Sequence, residues 1–220
     1  MSIEPTAKAS KNFVFDDSLL AEFTSLNTLI AGVDEVGRGA LFGSVVAATV
    51  VLPLSDIPRL IAIGVKDSKK LSANKRQELV SLIKQVITDY RISFATVAEI
   101  DSLNILQASL LAMKRSVVEL KVTPDICLID GKFPIPHLSL AQKTVIKGDL
   151  RSPVIAAASI LAKVWRDELM INLAEKYPEY ELGKNKGYPT AAHRLAIQRH
   201  GISPEHRRSF KSCQHLPDLS

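Results

Sequence analysis

Cysteine is scarce in this chain: among 220 residues there are two, Cys127 and Cys213, far apart in sequence. They make no C-x₂-C pair and fit no other zinc spacing, and they set a reducing, cytoplasmic location as the expectation. Cys127 lies in an apolar run and reads as a core thiol. Long apolar runs are missing as well. The longest, Ser44 to Leu54, falls far short of the roughly 20 residues a membrane-spanning helix needs. Met1 to Lys11 is polar and lacks the apolar centre of a signal peptide, so residues 1–15 read as a loosely ordered, flexible arm and no membrane partner is expected. Tryptophan occurs once, at Trp165, where it is expected to pack the last helices together. No internal repeat or low-complexity segment appears.

What is present is an ordinary globular composition, 46% apolar and 23% charged, long enough for one sizeable domain. The net charge of +5 is unevenly placed. From Lys184 onward, Lys184, Lys186, Arg194, Arg199, Arg207, Arg208 and Lys211 face only Glu205 and Asp218, so this segment carries the whole excess. The reading is a main domain over 16–183 and a basic helical extension over 184–220 packed on it. A basic segment suits a polyanion, although a solvated helical face explains charge alone equally well.

Hydrophobic patterning predicts the elements. Leu29 to Val36 and Ser44 to Leu54 read as paired strands around a glycine turn, the second closed by Pro53, Ser55, Asp56 and Pro58. Asp67 to Leu71 reads as a polar loop, and Ser72 as the N-cap of a helix to about Thr88. Tyr90 to Val97 alternates as a strand. Leu103, Leu106, Leu110, Met113, Val117 and Leu120 recur at helical steps and predict one amphipathic helix. Short strands follow at 126–129 and 144–146, then an alanine-rich helix from Pro153 to about Lys176 and a last one from Thr190 to His200, stopped by Gly201. The first three strands should be mostly antiparallel, and the strand at 126 parallel to one of them. The fold class is α/β with a mixed sheet.

Four acids share one setting. Asp34, Glu35, Asp130 and Asp149 each stand at the end of an apolar strand beside a glycine. A lone aspartate there is commonly a turn or cap residue. Four carboxylates gathered at one sheet edge would repel unless cations lay between them, and hard divalent ions such as Mg²⁺ or Mn²⁺ prefer oxygen ligands of this kind. Two such ions are the usual apparatus for attack of water on a phosphodiester. Beside Asp34 and Glu35 runs Gly37-Arg38-Gly39, a turn whose amides can meet a phosphate.

The run Gly32 to Gly39 (GVDEVGRG) resembles the signature of the ribonuclease HII family, the type 2 ribonucleases H. The likeness continues through Asp67 to Leu71, Leu128 to Gly131, Lys147 to Asp149, Ala156 to Val164 with Arg166 and Asp167, Lys186 to Thr190 and His206 to Phe210, covering about 28–212. Family members usually carry proline after the second glycine of the turn. Here it is Ala40, with a more flexible turn as the expected cost. The resemblance implies a ribonuclease H-like fold, a mixed five-stranded sheet flanked by helices with a C-terminal helical segment. It implies Asp34, Glu35, Asp130 and Asp149 as catalytic ligands of two Mn²⁺ or Mg²⁺ ions, Gly37, Arg38 and Gly39 as contacts to the 2′-hydroxyl at an RNA–DNA junction, and Tyr188 as a ring on the sugar of the next deoxynucleotide. The implied substrates are RNA–DNA hybrids and DNA duplexes containing ribonucleotides, cut 5′ to the ribonucleotide to leave 3′-hydroxyl and 5′-phosphate ends, by a protein acting as a monomer.

Lys69, Lys70, Lys163, Arg166, Arg207 and Arg208 are candidate phosphate contacts, although for each alone a solvated charge is the favoured reading, or for Arg166 a helix-surface pair with Asp167. The five histidines fit no zinc motif; His193 near the acids would be a proton shuttle, but an incidental role is favoured. A dinucleotide-binding oxidoreductase competes through Gly37-x-Gly39-x-x-x-Gly43. Its spacing differs from G-x-G-x-x-G, a strand rather than a helix is expected after the turn, and the adjacent acids would repel a pyrophosphate. A non-catalytic nucleic-acid-binding module would need only the basic tail, and gains nothing from four strand-end acids.

Overall fold

Strand β1 (Leu29–Val36) runs through the middle of the sheet, and the rest of the architecture is arranged around it. The computed structural model describes residues 17–65 and 72–214; the arm at 1–15 and the loop bearing Lys69 and Lys70 lie outside the described residues. β2 (Val45–Pro53) pairs antiparallel with β1, and β3 (Asp89–Ala95) antiparallel with β2. On the other side of β1, β4 (Ile126–Asp130) is parallel, with Val33 level with Ile129, and β5 (Ala141–Val145) is parallel to β4. The order β3-β2-β1-β4-β5 is the mixed five-stranded sheet the sequence predicts. Because β1 and β4 are parallel neighbours, both release their terminal carboxylates at the same edge.

Helices cover both faces. α1 (Ile57–Ala62) and α2 (Ala73–Val86) follow β2; α3 (Val97–Leu103) and α4 (Ile105–Val118) follow β3; α5 (Gly148–Arg151) and α6 (Pro153–Lys176) follow β5. Residues of β1 alternate between the two layers. Ile30 joins the core under α1, α2 and α6, whereas Ala31 and Val33 join the core under α3 and α4. The C-terminal α7 (Leu182–Asn185) and α8 (Ala191–His200) enclose a third cluster, in which Phe42, Tyr180, Ile197 and Cys213 pack on Met170 of α6. Among the described residues no helix is long and apolar enough to cross a membrane.

Several local expectations hold. Ser72 caps α2 through Lys75 N–H, Gly201 ends α8, and Cys127 is fully buried with burial pushing its thiol up to about 12. Others need correction. The helix expected over the 103–120 stripe is α4 but begins later, because Asn104 takes φ 72° and its side chain accepts from the Leu106 and Gln107 amides, capping α4 afresh and leaving Leu103 at the end of α3. Asp149 does not end a strand: β5 stops at Val145, Lys147 turns through φ 55°, and Asp149 sits inside α5. Pro58 does not extend the loop after β2 but sits in the first turn of α1, where a missing N–H costs nothing. Trp165 packs on the sheet rather than on the last helices, stacking on Phe94 of β3 at 6.0 Å.

Helix α6 comes very close to β1 at Gly32, where a Cβ would fall 2.4 Å from the carbonyl carbon of Val154. The atoms it would meet, Val154 C and O and Ile155 N, all belong to backbone, so a side chain there must push α6 off β1. Gly32→Ala is therefore expected to lower the unfolding free energy by about 3 kcal/mol or more, at the upper end of overpacking costs, measured by urea denaturation. A change below about 0.5 kcal/mol would contradict this close approach.

Candidate active site

Asp34 and Glu35 end β1, and Asp130 ends β4. One carboxylate oxygen from each lies within 4.8 Å of the others. Each acid is aimed by a specific donor. Asp34 Oδ1 accepts the Glu35 amide at 2.7 Å, and Ser159 of α6 hydrogen-bonds the same side chain. Asp130 Oδ1 accepts the Gly148 amide at 2.6 Å. Glycine lets these groups lie close, since a Cβ would stand 2.5 Å from Ile155 Cδ1 and 3.2 Å from Asp130 Oδ1 and would force the Ile155 side chain to shift. Glu35 Oε1 accepts Arg38 Nη1 at 2.9 Å, while its Oε2 is buried without a hydrogen-bond partner.

Asp149 approaches from α5. It is 5% exposed, and its charge is felt at Asp34, but it stands outside the three residues whose oxygens converge. Burial, then the charges of Glu35 and Asp130, hold the Asp34 carboxyl well above the usual aspartate range. Burial also raises Glu35, opposed by the Arg38 guanidinium and reinforced by Asp130. An oxygen-only donor set with one orphaned buried oxygen fits a hard divalent cation, which would turn this repulsion into attraction.

The link between β1 and β2 is a tightly held turn. Gly37 has φ 91°, and its carbonyl accepts the Ala40 amide at 3.2 Å. No atom lies within 4 Å of where a Gly39 Cβ would be, so that side of the turn is open. Arg38 is half exposed on the same rim. The segment Lys186 to Tyr188 lies alongside, with Leu41 N–H donating to the Gly187 carbonyl at 2.8 Å. Tyr188 is partly buried, and its ring has the Arg166 guanidinium at 5.5 Å and Lys163 Nζ at 5.9 Å from its centroid. Lys163 also pairs with Asp167 at 2.6 Å.

Arg166 and Arg207 are placed differently from the surface contacts expected of them. Both are fully buried. Arg166 donates to the carbonyls of Ser44, Phe42 and Lys186, and Arg207 to those of Gly43 and Arg38. They shape the turn from beneath and present nothing to a phosphate. Arg208 lies where Asp101 of α3 accepts its backbone amide and that of Ser209. His193 is buried, with Nδ1 3.0 Å from the Tyr188 carbonyl and Nε2 3.3 Å from His206 Nε2. His206 Nδ1 takes the Ser203 amide, and burial followed by the His193 charge pushes its pKa down to about 3. The pair is a neutral link behind Tyr188, not a shuttle beside the acids. Sequence reasoning missed this link, and it missed Ser159 and Gly148; the last two sit inside quoted motifs, where Ser159 is the one hydroxyl in an alanine run.

The element after the turn is β2, a strand, so no helix N-terminus is available for a dinucleotide pyrophosphate. A central strand ending in acids, a neighbouring parallel strand ending in another, and helices on both faces define a carboxylate nuclease of the ribonuclease H type. The family model described as ribonuclease HII matches residues 31–213. A ribonuclease HII of Nostoc sp. is 57% identical over 197 residues, covering 90% of this chain and 88% of that protein. One from Acaryochloris marina is 57% identical over 191 residues, covering 86% and 96%. Among solved structures, ribonuclease H2 from Pyrococcus horikoshii OT3 superposes with TM-score 0.71 at 28% identity, over 84% of this chain and 95% of that one. Bst-RNase HIII in complex with Mn²⁺ shares the fold, with TM-score 0.66 at 19% identity over 85% of this chain and 68% of that one. The chain belongs to the ribonuclease HII family and is a hydrolytic endonuclease of the ribonuclease H type.

The crowded acids have a measurable consequence. Asp34 titrates higher folded than unfolded, so between those two values the folded state holds the extra proton. Stability of the metal-free protein should therefore fall as pH rises from about 4, the unfolded aspartate value, through the raised folded value. Asp34→Asn removes that loss. At pH 7.5 in EDTA it should raise Tm by about 3 °C or more, and added Mg²⁺ should narrow the gap by stabilising wild type alone. A lower Tm for the variant in EDTA would contradict the electrostatic account.

Proposed function

We propose that this enzyme hydrolyses the RNA strand of RNA–DNA hybrids and nicks on the 5′ side of single ribonucleotides embedded in duplex DNA, with two divalent ions, Mn²⁺ or Mg²⁺, and 3′-hydroxyl and 5′-phosphate products. The observation that carries this reading is the position of Glu35. Its Oε1 is tied to Arg38 of the turn, its Oε2 is buried without a hydrogen-bond partner, and its carboxylate converges with those of Asp34 and Asp130. One side chain thus joins the cutting carboxylates to the loop that meets the sugar. Divalent ions, when bound, supply positive charge to the reacting phosphate and acidify water. Asp34, Glu35 and Asp130 hold them, with Asp149 completing the set from α5.

Gly37, Arg38 and Gly39 meet the 2′-hydroxyl, the group that separates RNA from DNA at a given site. The open side of Gly39 allows the backbone of the turn to come close to the strand. Tyr188 packs on the sugar of the following deoxynucleotide, where a 2′-hydroxyl would clash. Lys163, whose Nζ lies 5.9 Å from that ring's centroid, contacts phosphate, and Lys69 is assigned the same task although it lies outside the described residues. Residues 16–183 form the catalytic domain, with 184–220 as an extension that carries Tyr188 to the site. The protein works as a monomer in the cytoplasm, with no membrane.

The test is a DNA duplex bearing one ribonucleotide, and a long hybrid in parallel, incubated with Mg²⁺ or Mn²⁺. Wild type should nick the duplex 5′ to the ribonucleotide. Asp34→Asn should slow cleavage of both substrates by about 10³-fold, the scale of losing charge stabilisation worth several kcal/mol. Intact duplex after prolonged incubation with wild type would overturn the assignment. Arg38→Ala and Tyr188→Ala should reduce cleavage at the single ribonucleotide about 10-fold more than cleavage of the hybrid, the range expected of one lost hydrogen bond or contact. Equal losses on the two substrates would remove the junction-reading role.

A further inference from the structure

Arg166 projects from α6 into the space between the two segments assigned above to sugar recognition. Burial of a guanidinium is costly unless its donors are met, and burial lowers its pKa. Its hydrogen bonds go to carbonyls of both segments. Nε reaches Ser44 O at 3.2 Å and Nη2 reaches Phe42 O at 3.0 Å, at the end of the turn. Nη1 reaches Lys186 O at 2.8 Å, two residues before Tyr188. Its sides are occupied as well. A Cβ at Gly37 would lie 2.2 Å from Nε, and the Tyr188 ring centroid is 5.5 Å from Cζ. The two segments also touch directly, so closely that a Cβ at Gly187 would stand 2.9 Å from Phe42 O.

We infer that Arg166 is a positioning residue for specificity: it fixes the distance between the Gly37–Gly39 turn and the Tyr188 ring, so that one accepts a ribose only where the other accepts a deoxyribose. The inference rests on the sugar-reading roles proposed above. Arg166 is fully buried and touches no substrate; it acts through the carbonyls and the ring it holds. Lysine cannot replace it. A single ammonium lacks the planar fork that serves carbonyls on two sides while offering a flat face to an aromatic ring. An error of about 1 Å in such a pair costs on the order of 10²-fold in rate at the site that depends on both.

The test is a double-mutant cycle in the full chain with Arg166→Lys, Tyr188→Ala and the pair, measuring kcat and KM on the single-ribonucleotide duplex and on the long hybrid. Arg166→Lys should lower kcat on the single-ribonucleotide duplex by about 10–100-fold and on the hybrid by less than about 3-fold, with Mn²⁺ affinity by calorimetry unchanged. In the Tyr188→Ala background the same substitution should alter selectivity by less than about 2-fold, because its effect passes through that ring. Equal loss on both substrates, or the same factor in both backgrounds, would reduce Arg166 to a packing residue. If Arg166→Lys does not fold, Gly187→Ala separates the same two segments while leaving Arg166 in place, and it must lose selectivity in the same way; retained selectivity overturns the inference. If Tyr188→Ala alone leaves selectivity unchanged, the sugar-reading assignment fails first and this inference with it.

Discussion

The close approach of α6 to β1 is the constraint on which the rest depends. It is set where the backbone of Val154 lies against Gly32, at a distance that excludes any side chain. With the helix seated there, successive turns of α6 meet successive parts of the site. Ile155 packs where Gly148 delivers its amide to Asp130, Ser159 reaches Asp34, and Lys163 and Arg166 lie under Tyr188. Steps of 4, 4 and 3 keep these residues on one side of a helix. A rigid element aligned with a central strand therefore holds the carboxylates and the tyrosine in one frame. The alanines of α6 serve the same end, since large side chains there would lift the helix from the sheet.

Charge is arranged in two opposed groups across this frame. In front, burial and the charges of Glu35, Asp130 and Asp149 raise the affinity of Asp34 for a proton, and burial and Asp130 raise that of Glu35. Behind, Arg166 and Arg207 lie close enough that burial and then Arg166 push Arg207 down to about 9. Neither group is neutralised by the other, because the turn stands between them and its carbonyls answer the guanidiniums. Such local conflict is what a binding site costs in stability. One atom on each side is left without a hydrogen-bond partner: Glu35 Oε2 in front, where the surrounding carboxylates call for a cation, and Arg207 Nη2 behind.

How much of this was legible in the chain depended on the range of the interaction. β1, β2, α2 and α6 were readable because period, caps and prolines act within a few residues. The gathering of Asp34, Glu35 and Asp130 followed from strand ends and one parallel pairing. Asp149 was harder. Its strand-like approach, Thr144 to Ile146, is followed by a left-handed Lys147, a conformation that no local pattern announces in a lysine. Asn104 broke a continuous apolar stripe for the opposite reason: its side-chain capping bonds outweighed periodicity. Arg166 and Arg207 were read as surface cations since charged residues usually are. Only the tertiary structure supplies the carbonyls that make their burial tolerable. The His193–His206 link is equally nonlocal, joining α8 to the segment beyond it.

Ala40 shows how such nonlocal contacts alter the meaning of a local departure. Proline at this position would fix φ and stiffen the turn, so alanine suggested a looser one. Yet the Ala40 amide donates to the Gly37 carbonyl, a bond proline could not make. The following amide is held by Gly187, and the carbonyls of Arg38, Phe42, Gly43 and Ser44 are all taken by the two buried arginines. Ala40 itself is fully buried. Stiffness that proline would bring through its ring is thus supplied by hydrogen bonds to α6 and to the C-terminal segment. The turn is consequently coupled to those elements more closely than a self-supporting proline turn would need to be, and its geometry is set by the whole domain rather than by its own sequence.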